Sequence, residues 1–438
     1  MVPSMKPLRV SLLGCGTVGG GVLSLLAANE KKLAQRIGAP LEIGKVLVRD
    51  PNKDRVPECR REWLTTSADE VLEDPELDVL LEVMGGIDPA RALIARALGR
   101  GASVVSANKM LVAHHGAELV ELAAKNNVDL AFEASVGGGI PIIRTLREAM
   151  TSDEIDRIAG IVNGTCNYIL TRMREEGASF ESILPDAQEK GYAEADPSLD
   201  VDGHDASQKL VVLAMLAFGA RVDAKSVPTL GIRDIASIDH RFAERFGFVI
   251  KHLAIGRDHG DRVELRVHPT LVPRGSVLAN VSGVLNAIQI HGRALGPCLL
   301  SGRGAGDLPT AVSVVADLVE VARARREGAG GLATRGIRLD PRPLMPLADT
   351  ISRFYLRFSV DDRPGVLAAI AGTLGARGVS IEQMVQEGRG GGGDGRAPVQ
   401  VVMVTHTASW GAVDESLSEL AKCDFSVGTP RVLRIEDP

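Results

Sequence analysis

Cysteine is scarce in this chain: Cys15, Cys59, Cys166, Cys298 and Cys423 are odd in number and far apart in sequence. With no CxxC pair they indicate neither a disulfide framework nor a zinc site, so reduced thiols are expected. A basic excess is missing too. The formal net charge is -6, which leaves no surplus of cations to neutralise phosphates and makes nucleic acid a poor partner. Long apolar runs are also absent. The strongest, Leu210–Ala220, falls short of the roughly 20 residues a membrane span needs, and no signal-peptide pattern opens the chain. These absences point to a cytoplasmic protein whose partner is a small molecule.

What is present reads as three domains, since 438 residues at roughly 150 per domain give about that number. From Leu8 to about Ala149, short apolar runs alternate with amphipathic stretches, a βαβα rhythm that implies a parallel sheet covered by helices on both faces. A doubly wound dinucleotide-binding domain is expected over 1–145. Residues 146–345 lose the rhythm and read as mixed α+β. Their last helix, about 311–327, is expected to pack back on the first domain. The stretch GAGGLATRGIRLDPRPLMP behind that helix reads as a linker, with a boundary near Pro346. Residues 352–438 run βαββαβ, the ferredoxin-like order, with Gly388–Pro398 as a hairpin tip. Such a module behind a linker predicts that a chain ended near Met345 keeps its first two domains folded and active.

The first strand runs into Gly14-Cys15-Gly16-Thr17-Val18-Gly19 and then a helix. In that setting a GxGxxG run places a dinucleotide pyrophosphate on the helix N-terminus, with Gly14, Gly16, Thr17, Val18 and Gly19 around it. After the second strand, Arg49 precedes Asp50, a cation and a carboxylate at the position that separates a 2′-phosphate from a ribose hydroxyl. Arg49 favours NADP, with NAD possible. Asn108-Lys109 closes a later strand at the ligand-binding edge of the sheet, where the lysine is equally readable as solvated. Glu133 to Pro141 carries three successive glycines, readable as a cation site of carbonyl oxygens or, favoured on spacing alone, as a plain hinge. The densest cluster is Gly191 to Lys209. Asp205 and Lys209 stand i, i+4 on one helix face, and Lys209 leads into an apolar run, so burial should lower its ammonium pKa toward the range useful for proton transfer. His204 has no partner at helix spacing and reads as a surface residue.

With Lys109 and this acidic loop together, the chain resembles the homoserine dehydrogenase family over essentially its whole length. Ala187, Gly191-Tyr192, Asp196-Pro197, Asp200, Gly203, Asp205 and Lys209 fit the family signature without a departure, and SANK around Lys109, Gly160–Leu170 and Ser301–Ala311 look like family motifs. The resemblance implies interconversion of L-homoserine and L-aspartate 4-semialdehyde. It implies Lys209, Asp205 and Lys109 as the catalytic group, and Glu194, Asp200, Tyr192 and Thr165 at the substrate. Ser106, Gly302 and Gly306 would join Arg49 and Lys109 on the cofactor side. It implies a sodium-like ion on Glu133, Val136, Gly138 and Ile140 and an ACT domain at the C-terminus with an amino-acid effector; threonine, a downstream product that resembles homoserine, is the expected effector, and a homodimer or homotetramer the expected assembly. The first strand begins almost at the first residue, so the form without a preceding kinase is expected. Two alternatives remain: a phosphorylating semialdehyde dehydrogenase using Cys166, and a non-catalytic sensor of NADP and amino acids.

Overall fold

A computed structural model describes residues 6–334, 336–387 and 398–437. The expected hairpin tip, apart from Pro398, lies outside them. The first sheet contains β1 (Leu8–Leu13), β2 (Leu41–Leu47), β3 (Leu64–Thr65), β4 (Leu77–Glu82), β5 (Ser103–Ser106) and β6 (Leu130–Ala131), ordered β3-β2-β1-β4-β5-β6. Every pairing in it is parallel. The strand order reverses between β1 and β4, and in such sheets the ligand crevice opens there, at the carboxyl ends of the strands. The helix Thr17–Ala28 leaves β1 into that crevice. Its far side is covered by the helix Asp307–Arg326, which buries Ala311, Val314, Leu318 and Val321 against the first domain. A fully buried aliphatic side chain stabilises by about 1.5–3 kcal/mol, so this return fastens the chain's middle to its beginning.

The second sheet begins with β7 (Ile155–Ile161), β8 (Phe248–Asp258), β9 (Val263–Pro273), β10 (Leu285–Gly292) and β11 (Gly296–Arg303). It continues into the C-terminal module through β12 (Ile351–Val360), β13 (Ile381–Glu387), β14 (Val399–Thr405) and β15 (Arg431–Ile435), in the order β11-β10-β7-β8-β9-β15-β12-β14-β13. The four module strands keep the ferredoxin-like arrangement, and β15 also pairs in parallel with β9, Thr270 against Arg434 and Leu271 against Ile435.

That junction corrects one expectation. Residues 328–334 and 336–346 are not a free linker. Ala333 N donates to Asp129 Oδ1 at 2.7 Å, and Asp340–Pro341 pairs with Ala220–Arg221. Arg342 reaches Asp258 at 2.6 Å, and Met345 N donates to Val263 O at 2.8 Å. Glycine and proline here fit a strap to the surface of two domains. Ending the chain near Met345 would also strip β15 from β9 and uncover an unpaired strand edge.

Candidate active site

The turn after β1 is packed without slack where it meets the protein and open where a ligand would lie. Gly14 has φ +99°, and a Cβ there would stand 3.0 Å from Met84 Cα; a Cβ on Gly19 would stand 2.7 Å from Gly14 O. At Gly16 a Cβ meets nothing within 4 Å. The helix Thr17–Ala28 begins at this opening with no side-chain cap and no acid in its first turn, so the N–H groups at Thr17 and Val18 are available to an anion. A dinucleotide pyrophosphate fits these residues. Arg49 is exposed, whereas the Asp50 carboxylate accepts from Asn52 N at 2.8 Å. Ser106, expected on the cofactor side, is buried at the end of β5 and donates its hydroxyl to Glu82 Oε2 at 2.7 Å. Glu82, which sequence reasoning missed, also accepts from Met84 N and Gly85 N at 3.0 and 3.2 Å, and burial raises its pKa. It ties the ends of β4 and β5 into one rim. Gly302 sits at the end of β11 beside Ile140, and Gly306 opens the helix Asp307–Arg326 at the cavity wall.

Beyond the rim lies a cavity of about 500 Å³ lined by Lys109, Thr165, Tyr192, Glu194, Asp200, Asp205, Lys209 and Gly304 among others. The helix His204–Ala217 projects two of these from one face, and Gly203, in the left-handed region at φ +88°, starts it against His252 and Thr229. Asp205 is in the first turn, where the helix dipole favours a carboxylate. Its side chain is 2% exposed and lies between two ammonium groups. Lys209 Nζ donates to Asp205 Oδ2 at 2.7 Å and to Val162 O, just past β7, at 2.7 Å. Lys109, first residue of the helix Lys109–Lys125, pairs with Asp205 Oδ1. Burial lowers the pKa of Lys209, with the Lys109 charge acting in the same direction and Asp205 opposing; Lys109 is raised by Asp205 against its own burial. The Asp205 carboxyl is held far below its ordinary range by the two lysines despite burial. An ammonium has three donors, so Lys209 keeps one N–H beyond its two internal bonds, and it lines the cavity.

Asn163, another residue whose role sequence reasoning missed, organises the opposite wall. Its amide donates to Asp200 Oδ1 at 2.8 Å and Asp205 Oδ2 at 2.9 Å, while its oxygen caps the helix Gly164–Glu176 at Cys166 N. Thr165 Oγ1 donates to Tyr192 O at 2.6 Å and approaches Asp200 at 3.3 Å. Burial, followed by the Asp205 charge, raises Asp200. Glu194 is exposed on the cavity lining, and Tyr192 packs against Tyr168 with the rings tilted by 57° and centroids 4.9 Å apart. Two carboxylates for an ammonium, a spare lysine proton and an adjacent dinucleotide turn together suit oxidoreduction at an amino-acid hydroxyl or aldehyde.

Comparison with known proteins agrees. Residues 141–319 match the homoserine dehydrogenase family, 14–133 its NAD-binding domain and 354–409 the ACT domain. A homoserine dehydrogenase of Pseudomonas aeruginosa is 41% identical over 438 residues, covering 99% of both chains. One of Bacillus subtilis is 39% identical, again over 99% of both. The crystal structure of a homoserine dehydrogenase from Thiobacillus denitrificans superposes with a TM-score of 0.92 at 40% identity, covering 99% of each chain. The chain belongs to the homoserine dehydrogenase family. It is an oxidoreductase of three parts, an NAD-binding domain, the homoserine dehydrogenase catalytic domain and an ACT domain.

Family membership removes the non-catalytic sensor. The thiol-dependent alternative fails on geometry: Cys166 is fully buried and donates to Asp200 O at 3.2 Å, with burial and the nearby Asp200 and Asp205 charges pushing its pKa far up. It presents no nucleophile to the cavity. At the expected cation site, the Glu133 carboxylate turns inward and accepts from Ile143 N and Arg144 N at 2.8 Å each. Three carbonyls there already accept one hydrogen bond apiece: Glu133 from Val136 N, Ile140 from Ile142 N, and Gly138 from Ser313 Oγ. A carbonyl keeps a second lone pair, so each of these oxygens retains a position for a further donor or an ion. Among the described residues no cluster of three or more His, Cys, Asp or Glu is placed to hold a metal. No helix there is long and apolar enough to cross a membrane.

Proposed function

We propose that this enzyme interconverts L-homoserine and L-aspartate 4-semialdehyde with NADP as the preferred cofactor and Lys209 as the proton-transferring group. The observation that carries the reading is Lys209 on the cavity lining with two of its three N–H bonds taken, by Val162 O and Asp205. When bound, the nicotinamide supplies or accepts the hydride. The chain's own residues do the rest. In reduction, the Lys209 ammonium gives its proton to the aldehyde oxygen and offsets the developing alkoxide charge; in oxidation, the neutral amine takes the hydroxyl proton. Asp205 holds both lysines in place, and Lys109 keeps a positive charge at the nicotinamide side. Glu194 and Asp200 grip the substrate ammonium, with Thr165 and Tyr192 closing the wall. The exposed Arg49 guanidinium supports recognition of a 2′-phosphate, beside an Asp50 whose Oδ1 accepts from Asn52 N.

Threonine is the proposed effector of the ACT domain, its carboxylate on the N-terminus of the helix Val366–Ala376, which has no side-chain cap. A sodium ion on the carbonyls of Glu133, Val136, Gly138 and Ile140 would stiffen the hinge without entering the reaction. A homodimer or homotetramer is the proposed assembly. Steady-state oxidation of homoserine with NADP and with NAD, with and without threonine, tests the set. Turnover that favours NADP and falls with threonine is expected; no homoserine-dependent reduction of either cofactor would overturn the reading.

A further inference from the structure

Two thiols 44 residues apart meet beside the dinucleotide turn, Cys15 Sγ lying 3.6 Å from Cys59 Sγ. Cys15 is the middle residue of Gly14-Cys15-Gly16. Cys59 ends the loop that leaves β2 through Arg49, and both are half-buried. That loop is a packed unit. Arg55 ties it together through the carbonyls of Lys53 and Asp50, each at 2.6 Å, and Cys59 N donates to Val56 O at 3.0 Å. Val56 lies against the helix Thr17–Ala28, where a Cβ on Gly20 would be 3.1 Å from Val56 Cγ1. The pair therefore joins the pyrophosphate turn to the segment carrying the proposed 2′-phosphate residue.

We propose that Cys15 and Cys59 are a reversible disulfide site whose oxidation weakens dinucleotide binding. The oxidant is a small disulfide such as glutathione disulfide. The Cys59 thiolate attacks one of its sulfurs, breaking that S–S bond and releasing one glutathione. Cys15, deprotonated, then attacks the Cys59 sulfur of the mixed disulfide and releases the second glutathione. Two protein thiols are oxidised by two electrons, one disulfide is reduced, and the two thiol protons end on the two glutathione sulfurs. The order follows from the microenvironment: burial, and next the neighbouring Cys59, push the Cys15 thiol up to about 12, so it is the poorer first nucleophile. Once Cys59 is in a mixed disulfide that neighbouring charge is gone, leaving burial, which holds the Cys15 thiol up, opposed by Arg55, which lowers it.

A disulfide bond is about 2.05 Å long, so closing it draws the sulfurs roughly 1.5 Å nearer than their present 3.6 Å. The turn has little room to shift, because a Cβ added at Gly14 would stand 3.0 Å from Met84 Cα and one added at Gly19 2.7 Å from Gly14 O. The N–H groups that face the pyrophosphate are displaced with it. Lys209, Asp205 and Glu194 lie on other elements and keep their places. Linkage requires the converse, that bound cofactor disfavours the disulfide.

The proposal rests on reading the Gly14–Gly19 turn as the dinucleotide site, and the test separates the two. Full-length enzyme is equilibrated with excess glutathione disulfide, digested and mapped by mass spectrometry, and its KM values are compared with those of reduced enzyme. A peptide linked through Cys15 and Cys59 is expected, formed more slowly with NADP present. The NADP KM should rise at least about tenfold with the homoserine KM unchanged, and dithiothreitol should reverse both changes. Cys59→Ser should keep the reduced kinetics and ignore the oxidant. No linked peptide, a linked peptide with unchanged cofactor KM, or equal sensitivity in Cys59→Ser would overturn the disulfide. Reduced enzyme that shows no saturation by either dinucleotide would overturn the reading of the turn, while the mapping still decides whether the thiols join.

Discussion

Two buried groups of charge sit on either side of this molecule's second sheet, and they are finished differently. At the active site Asp205 is shared by Lys109 and Lys209, and the Lys209 ammonium has a donor to spare beside an open cavity. At the junction with the ACT domain, Arg266, 1% exposed, binds Glu264 at 2.6 Å and Glu436 at 2.7 Å. Arg257 and Ser352 complete Glu436 at 2.6 and 3.0 Å, and His259 takes the other oxygen of Glu264. Both oxygens of each carboxylate in this second group are held from inside the chain. Buried charge with an unspent donor facing a cavity is available to a substrate; buried charge closed on itself holds elements together. The first group is the one proposed for the reaction, and the second ties β9 to β15.

The comparison breaks first at the closed group if it is not structural. Glu436→Ala leaves Arg266 and Arg257 short of a partner in the interior and should cost about 3–5 kcal/mol, read from the denaturant midpoint. A chain ended at Met345 should be worse, unfolded or aggregated; an intact midpoint in either would return the junction to the status of a loose linker. The open group should behave in the opposite way. Lys209→Ala should lower kcat at least about a hundredfold, about 2.7 kcal/mol of transition-state stabilisation, with the affinity for cofactor, measured by nicotinamide fluorescence, within about threefold of the parent. Glu194→Gln should raise the homoserine KM by about tenfold, because it removes ground-state attraction to the ammonium, and should leave the denaturant midpoint in place since Glu194 is exposed. An unchanged KM would move that contact to Asp200. The smallest effect belongs to Arg49→Ala, which should narrow the preference for NADP over NAD by a fewfold to about tenfold; equal use of both cofactors by the parent would remove Arg49 from the account.

How much of this was readable beforehand depended on how local each feature is. The Gly14–Gly19 turn and the Asp205–Lys209 pair lie within single turns of chain, so periodicity and i, i+4 spacing reach them. Lys109 required the sheet, because only parallel pairing of β4 with β5 brings the end of that strand to the rim. Asn163 stood in a motif whose resemblance was visible, yet its bonds span 37 and 42 residues and no spacing rule reports them. The same holds for Glu82, which braces Ser106 from 24 residues away. Residues 328–346 misled for a chemical reason: glycine and proline signal a break in regular structure, and a strap along a surface breaks regular structure as a linker does. The β9–β15 pairing, between strands more than 150 positions apart, left no trace in local pattern.

The direct test of the open group is the pH dependence of a single turnover of homoserine oxidation, followed at the nicotinamide with cofactor and substrate saturating. Oxidation needs Lys209 as the neutral amine, and burial lowers its pKa below the ordinary lysine value of 10.5, so the rate should rise with pH through one ionisation lying below that value. Reduction of the semialdehyde needs the ammonium and should fall through the same ionisation. In Lys209→Ala the residual rate should lose this dependence. A flat profile in the parent, or the same ionisation surviving in Lys209→Ala, would contradict the assignment of proton transfer to Lys209.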